Sequence, residues 1–290
     1  MIDDSLANNL TWKIIQQAKS GGYAVGGFCV YNAEGVQAVI KAAERCRSPA
    51  IIQLFPWTMH FYGPEFIRFA ADRAHAASVP ISLHLDHCLK PSDAYLALEC
   101  AFDSIMIDGS MFDEEENIRY VRSIVERAKA KNITIEAELG RMEGKEDGVP
   151  QIDLETVWTD PKKAASFVRE TGVHFLAPSF GNVHGPYGPG GAEKHWQLDR
   201  LMKIYEKLGD RTPLVLHGTH PLSDDLVRVA MRLGMVKINQ NRSVRNKYHE
   251  YLANFGGKGD LIALQENTVE AYSQDIERVM TEVFMSAGKA

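Results

Sequence analysis

Cysteine is scarce and unpatterned in this chain: Cys29, Cys46, Cys88 and Cys100 form no CxxC pair and share no regular spacing. That excludes a disulfide framework and a thiolate metal knot, and leaves reduced thiols in a cytoplasmic protein as the expectation. Positive charge is not in excess. Lys and Arg number 32 against 38 Asp and Glu, a net charge of −6, so the basic footprint of a nucleic-acid partner is missing. An anionic small molecule is still compatible with that balance, because a local pocket can be positive on an acidic protein. No apolar run approaches the ~18 residues that suggest a membrane span. The opening MIDDSLANNL lacks the cationic-then-apolar pattern of a secretion signal. No Pro/Ser-rich linker divides the chain, so residues 1–290 read as a single domain.

What is present is an alternation of short apolar runs with longer amphipathic stretches. The expected strands are 24–30, 50–55, 81–86, 104–108, 133–139, 175–180, 214–217 and 235–239. Helical patterns fall between them at 33–47, 64–78, 115–131, 160–172, 197–209 and 223–234. Asp160 before Pro161 and Ser223 before two acids read as helix starts, and Gly172, Gly209 and Gly234 as helix stops. Eight strand–helix units argue for an α/β fold of the (β/α)8 TIM-barrel type rather than an open doubly wound sheet. From about residue 260 the chain reads as extra C-terminal helix. Such an appendage packs on a neighbouring subunit or covers its own barrel, and a homodimer or homotetramer is expected.

In such a barrel, chemistry belongs to the C-terminal ends of the strands. Polar residues collect there: Asp86-His87 after strand three, Asp108 after strand four, Glu136 and Glu138 on strand five. His184 follows strand six, His217 ends strand seven, and Asn239, Asn241 and Arg242 close strand eight. Three imidazoles from converging strand ends, with an open fourth position, make a catalytic zinc site. Asp86 suits proton transfer beside a metal; its alternative is an acceptor that orients a histidine. At least one of Glu136 and Glu138 faces the interior, where a carboxylate requires a cation or donors. The segment GRMEGKEDGVPQ (140–151) reads as a mobile loop carrying Glu143, Glu146 and Asp147. FGNVHGPYGPGG (180–191) wraps His184 in glycines whose amides can approach an anion.

These residues, in this order, resemble the class II, zinc-dependent fructose-bisphosphate and tagatose-bisphosphate aldolase family. The segments that carry the resemblance are HLDHC, SIMIDGSMFDEEENI, IEAELGRMEGKEDG, NVHGPY, LVLHG and VKINQN, spread over residues 10 to 250. The resemblance implies zinc on His87, His184 and His217, with Asp108 and Glu138 at a second or alternative position for a divalent or monovalent cation. It implies that Asp86 exchanges the proton of the hydroxyl at the aldehyde carbon, and that Glu146 takes the proton from the donor carbon. Gly185 and Gly218 match backbone donors to a substrate phosphate, and Asn239 a contact to the donor ketone. A zinc-stabilised enediolate needs no Schiff-base lysine, although Lys237 on strand eight offers an amine.

The departures fall where the family holds phosphate. Gly218-Thr219-His220-Pro221 replaces a G-G-S-G segment, and Pro221 has no amide to donate. Gly188 stands for a lysine, Phe55 for a small polar residue, and Asn241-Arg242-Ser243 for an acid-and-threonine segment. Asn32, Thr219, His220, Asn241, Arg242 and Ser243 are accordingly candidate substrate contacts. The expected activity is reversible aldol cleavage of a small-molecule ketose bisphosphate or related ketose phosphate. The alternatives are another carbonyl substrate, such as a keto acid, and a non-catalytic metal-binding barrel.

Overall fold

Eight apolar runs become eight parallel strands because each is buried on both faces, against helices outside and against its neighbours within. The computed structural model describes residues 6–142, 144 and 157–290. The strands are β1 (Val25–Cys29), β2 (Ala50–Leu54), β3 (Ile81–Cys88), β4 (Ser104–Ile107), β5 (Thr134–Leu139), β6 (Phe175–Pro178), β7 (Leu214–Leu216) and β8 (Met235–Gln240). They pair in chain order, and β8 returns to β1 with Lys237 opposite Val25, closing the barrel. The expected (β/α)8 architecture is what forms.

Helices cover the outside: α1 (Leu10–Gly21), α2 (Ala33–Cys46), α3 (Pro56–Tyr62), α4 (Pro64–His75), α5 (Pro91–Ala97) and α6 (Glu114–Lys129) come first. They are followed by α7 (Pro161–Thr171), α8 (Gly191–His195), α9 (Leu198–Leu208), α10 (Asp224–Arg232), α11 (Asn246–Phe255) and α12 (Leu261–Arg278). α6 shows why they form. Asp113 caps its first turn by accepting from the Glu116 amide, and three glutamates there favour the positive end of the helix dipole. Its buried Tyr120, Val121, Ile124, Val125 and Ala128 recur at helical spacing. The short helices α3, α5 and α8, together with α1 and α11, were not expected from periodicity. α3 and α5 begin at prolines, which preset the first helical φ.

The barrel interior is graded from bottom to top. α1 plugs the N-terminal end, where Ile14, Ile15 and Ala18 pack with Val25, Ile51, Met106, Phe175 and Val215. Higher up, the inward layers turn polar, with Gln53, His84, Ser104, Glu136 and Lys237 all at most 1% exposed. A sealed apolar floor beneath a polar interior leaves the C-terminal mouth as the place for chemistry. The C-terminal helix covers its own barrel: α12 packs along α2, and the Tyr272 hydroxyl donates to the Cys29 carbonyl at 2.9 Å. Among the described residues no helix is long and apolar enough to cross a membrane.

Candidate active site

His87, His184 and His217 converge from the ends of β3, β6 and β7, all buried, with ligand atoms within 4.8 Å of one another. The His87 and His217 rings stand edge to face at 4.9 Å, and His87 meets His184 at 4.8 Å. Carboxylates fix the two facing nitrogens. His87 Nδ1 lies 2.9 Å from Asp108 Oδ2, and His217 Nε2 lies 2.8 Å from Glu136 Oε1. Each carboxylate accepts from its ring nitrogen, so His87 Nε2 and His217 Nδ1 keep their lone pairs for a shared point. Those two nitrogens are 3.1 Å apart. Zn–N bonds of about 2.0–2.1 Å imply tetrahedral N···N edges of roughly 3.3 Å, so this pair matches an edge of a zinc site, with His184 near enough to be the third donor.

Asp108 and Glu138 join His87 in an adjoining cluster of potential ligands, also within 4.8 Å. Burial would raise the Asp108 carboxyl, but the hydrogen bond and charge of His87, with the Ser110 bonds, hold it down to about 2. Glu138 goes the other way: burial, then the charge of Asp108, pushes it well above the carboxylate range. Its Oε1 accepts from the Met142 amide at 3.2 Å, while its buried Oε2 has no hydrogen-bond partner among the described residues. A buried carboxyl so raised ionises only when a positive charge reaches it, and a cation between Asp108 and Glu138 would supply it.

Asp86 is 1% exposed and faces the same space. Burial would raise its pKa, but the charges of His87, His217 and Lys237 prevail and lower it. Two amide groups donate to its Oδ2, Gln53 Nε2 at 2.9 Å and Asn239 Nδ2 at 3.1 Å. Asp86 therefore stays charged and oriented, as a proton acceptor requires. The same surroundings act on the imidazoles. Burial alone would hold His87 neutral, yet Asp86 and Asp108 carry it up to about 10, so an ion at His87 Nε2 would displace a proton; burial, with His87 and His217 nearby, takes His184 well below its ordinary range. Burial and the Lys237 charge lower His84 to about 3.

The outer residues form a second group at the rim. Thr219 Oγ1 donates to the Asn239 carbonyl at 2.6 Å, bracing β7 against β8. Half-buried His220 is lowered by burial and by the charges of Arg242 and Arg245. Arg245 lies 4.9 Å over the Tyr31 ring, whose hydroxyl donates to Asn241 Oδ1 at 3.0 Å. Gly218 is at φ +69°, and a Cβ there would stand 2.4 Å from the Val183 carbonyl, so only glycine lets the loops after β6 and β7 touch. Gly185 sits in the loop beside His184 at φ +97°. Asn32 caps α2 by accepting from the Gly35 amide, and Ser243 donates to Gln240 Oε1. Glu146, with Glu143 and Asp147, lies outside the described residues.

Sequence reasoning missed Gln53 and underused Glu136 and Lys237. Gln53 is the one polar residue in the run AIIQLF, and Lys237 the one charge in MVKIN. A lone polar group inside a buried strand signals a polar partner in the barrel interior, Asp86 on neighbouring β3 for Gln53 and Glu136 on β5 across the barrel for Lys237. Gly27 makes room for Gln53 and Asn239, since a Cβ there would lie 2.0 Å from Gln53 Oε1 and 3.0 Å from Asn239 Oδ1.

A family model described as fructose-bisphosphate aldolase class-II matches residues 9–289. The chain is 41% identical over 295 residues to a Coccidioides immitis (strain RS) protein provisionally named fructose-bisphosphate aldolase, covering 99% of this chain and 96% of that one. It is 37% identical over 236 residues to the fructose-bisphosphate aldolase of Streptococcus pneumoniae serotype 4, covering 79% and 77%. Among solved structures, the YdjI aldolase of Escherichia coli K12 superposes with a TM-score of 0.83 at 29% identity, over 96% of this chain and 97% of that one.

Proposed function

The chain belongs to the class II fructose-bisphosphate aldolase family, a family of carbon–carbon lyases, and from that premise we propose that it cleaves and forms a ketose bisphosphate or related ketose phosphate with zinc as its resident ion. The observation that carries this reading is the meeting of three buried imidazoles, two of them oriented by carboxylates, beside a charged Asp86. His87 through Nε2, His217 through Nδ1, and His184 would hold the ion, with Asp108 and Glu138 at a second or alternative cation position. When bound, zinc supplies Lewis acidity that stabilises negative charge developing beside a carbonyl.

The remaining work falls to side chains. In cleavage Asp86 takes the proton from the hydroxyl at the aldehyde carbon, and in condensation it returns it. Its two amide donors hold the carboxylate in one orientation, so the proton moves along one line. Glu146 is assigned the proton at the donor carbon. Asn239, whose amide already faces Asp86 and the His217 ring, contacts the donor ketone. The amides of Gly185 and Gly218, with Asn32, Thr219, His220, Asn241, Arg242 and Ser243, take the rest of the substrate. We read residues 1–290 as one barrel domain with a helical extension, working in the cytoplasm as a homodimer or homotetramer.

Metal analysis of purified protein, with retro-aldol assays on fructose and tagatose 1,6-bisphosphates against keto-acid aldols, tests the proposal. Absence of turnover on both bisphosphates overturns the substrate assignment. A donor ending in carboxylate is the second reading: Pro221 offers no amide to a phosphate, while Arg242 and Arg245 put positive charge beside His220 that can fork onto a carboxylate. It predicts that the keto-acid aldols turn over instead.

A further inference from the structure

His84, Asp86 and Glu136 form another group with metal-ligand geometry, deeper in the barrel, their ligand atoms within 4.8 Å of one another. None is more than 1% exposed. The space beside them is filled by the chain's own ammonium. Lys237 Nζ stands 2.9 Å from Glu136 Oε2, 2.8 Å from Asn239 Oδ1 and 3.5 Å from His84 Nε2. An ammonium has three N–H donors and no acceptor, and here it meets three acceptors. His84 is turned to suit: its Nδ1 lies 2.7 Å from the Ser104 hydroxyl, which leaves Nε2 toward the lysine.

The contacts continue from this cation to the metal centre. Glu136 uses Oε2 for Lys237 and Oε1 for His217 Nε2, which leaves His217 Nδ1 facing His87 Nε2. Lys237 precedes Asn239 by two residues on the same strand face, one layer below the mouth. Its amine is held by Glu136, Asn239 and His84 rather than left open to a ketone. We propose that Lys237 is a built-in cation that neutralises Glu136 beside His84 and, through Glu136, positions His217 so that Nδ1 faces the metal centre. Lys237 is thus a positioning residue rather than a Schiff-base nucleophile. The inference rests on the metal-dependent reading given above.

The test is zinc affinity, measured by competition with a chromophoric chelator on the full-length protein, alongside the visible spectrum of the cobalt-substituted form. Lys237→Met leaves Glu136 without its counter-charge and frees it to turn from His217. Zinc affinity is then expected to fall about 10–100-fold, the cobalt spectrum to shift, and kcat to fall more than KM at saturating zinc. The double variant Lys237→Met/Glu136→Gln removes both charges while keeping an acceptor for His217. It is expected to bind zinc within about tenfold of wild type, since the second change relieves the first. Where Lys237→Met does not fold, the double variant carries the test alone, and a loss beyond a hundredfold overturns the inference. Unchanged zinc affinity and cobalt spectrum in Lys237→Met overturn it too, as does borohydride trapping of a ketone donor on Lys237. A wild-type protein that binds no zinc overturns both this inference and the metal-dependent reading. A zinc-binding wild type with an insensitive Lys237→Met variant overturns only the role of the lysine.

Discussion

Asp86 and His87 are consecutive in the chain, yet both bury their side chains in the barrel mouth, at 1% and 2% exposure. Successive residues of a regular strand point to opposite faces, so one of the two should lie outside against the helices. His87 escapes this rule with a left-handed backbone, φ +48°, where the β3–β4 register shifts between Leu85 and Cys88. The bulge sets a proton carrier and a candidate metal ligand side by side, at a backbone cost of about 1–3 kcal/mol.

Backbone strain and ligation can therefore be separated at residue 87. His87→Gly and His87→Ala both remove the imidazole, but glycine accepts positive φ and alanine does not. His87→Gly is expected to be the more stable of the two by about 1 kcal/mol, with zinc binding lost in both. Chemical denaturation with metal analysis checks this, and equal stabilities would show that the left-handed backbone stores no strain.

Asp86→Asn keeps the shape of the side chain and removes the charge that accepts a proton. Loss of general acid–base catalysis is expected to lower kcat by about 10²–10⁴-fold. Zinc content should hold, because Asp86 is engaged by Gln53 and Asn239 rather than grouped with the three histidines. Steady-state kinetics with metal analysis of the same preparation checks both halves; a variant that has lost its zinc would assign Asp86 to the metal instead.

Asp108 sets which nitrogen His87 presents. Asp108→Ala is expected to weaken zinc binding by about 10–100-fold. In the wild type, a chelator should abolish aldol cleavage and added zinc should restore it. Activity that survives exhaustive chelation would remove the metal from the reaction.

A pH effect is expected far from the site. His75 Nε2 lies 2.9 Å from Asp103 Oδ2, and that hydrogen bond raises the imidazole above its ordinary range against the opposing effect of burial. A pKa raised on folding stabilises the protein below the unfolded value of about 6.5, and the contribution disappears as pH rises through the folded value. The pair is half exposed, so its worth is about 1 kcal/mol or less. His75→Gln should lower the urea midpoint near pH 6 and match the wild type near pH 9; a difference that grows with pH would reverse the assignment.

Much of the fold was legible because its determinants are local. Apolar runs marked all eight strands, and caps such as Asp160 and Ser223 marked helix starts by bonds to amides two or three residues on. The three histidines were legible for a related reason: His87 sits at the end of β3, His217 directly follows β7, and His184 lies in the glycine-rich loop after β6. The short proline-initiated helices α3 and α5 escaped because seven residues hold too few turns for a periodic face.

The sequence by itself determined the barrel, the strand ends that carry chemistry and the imidazole set, since periodicity and punctuation act over a few residues. Tertiary structure alone decided how the buried charges pair. Glu136 meets His217 across 81 residues and Lys237 across 101, and nothing local specifies such partners. It also decided that α12 covers its own barrel, and that β3 bulges so that Asp86 and His87 share one face. Buried polar groups must be satisfied wherever the closed barrel brings them, and closure is a property of the whole chain.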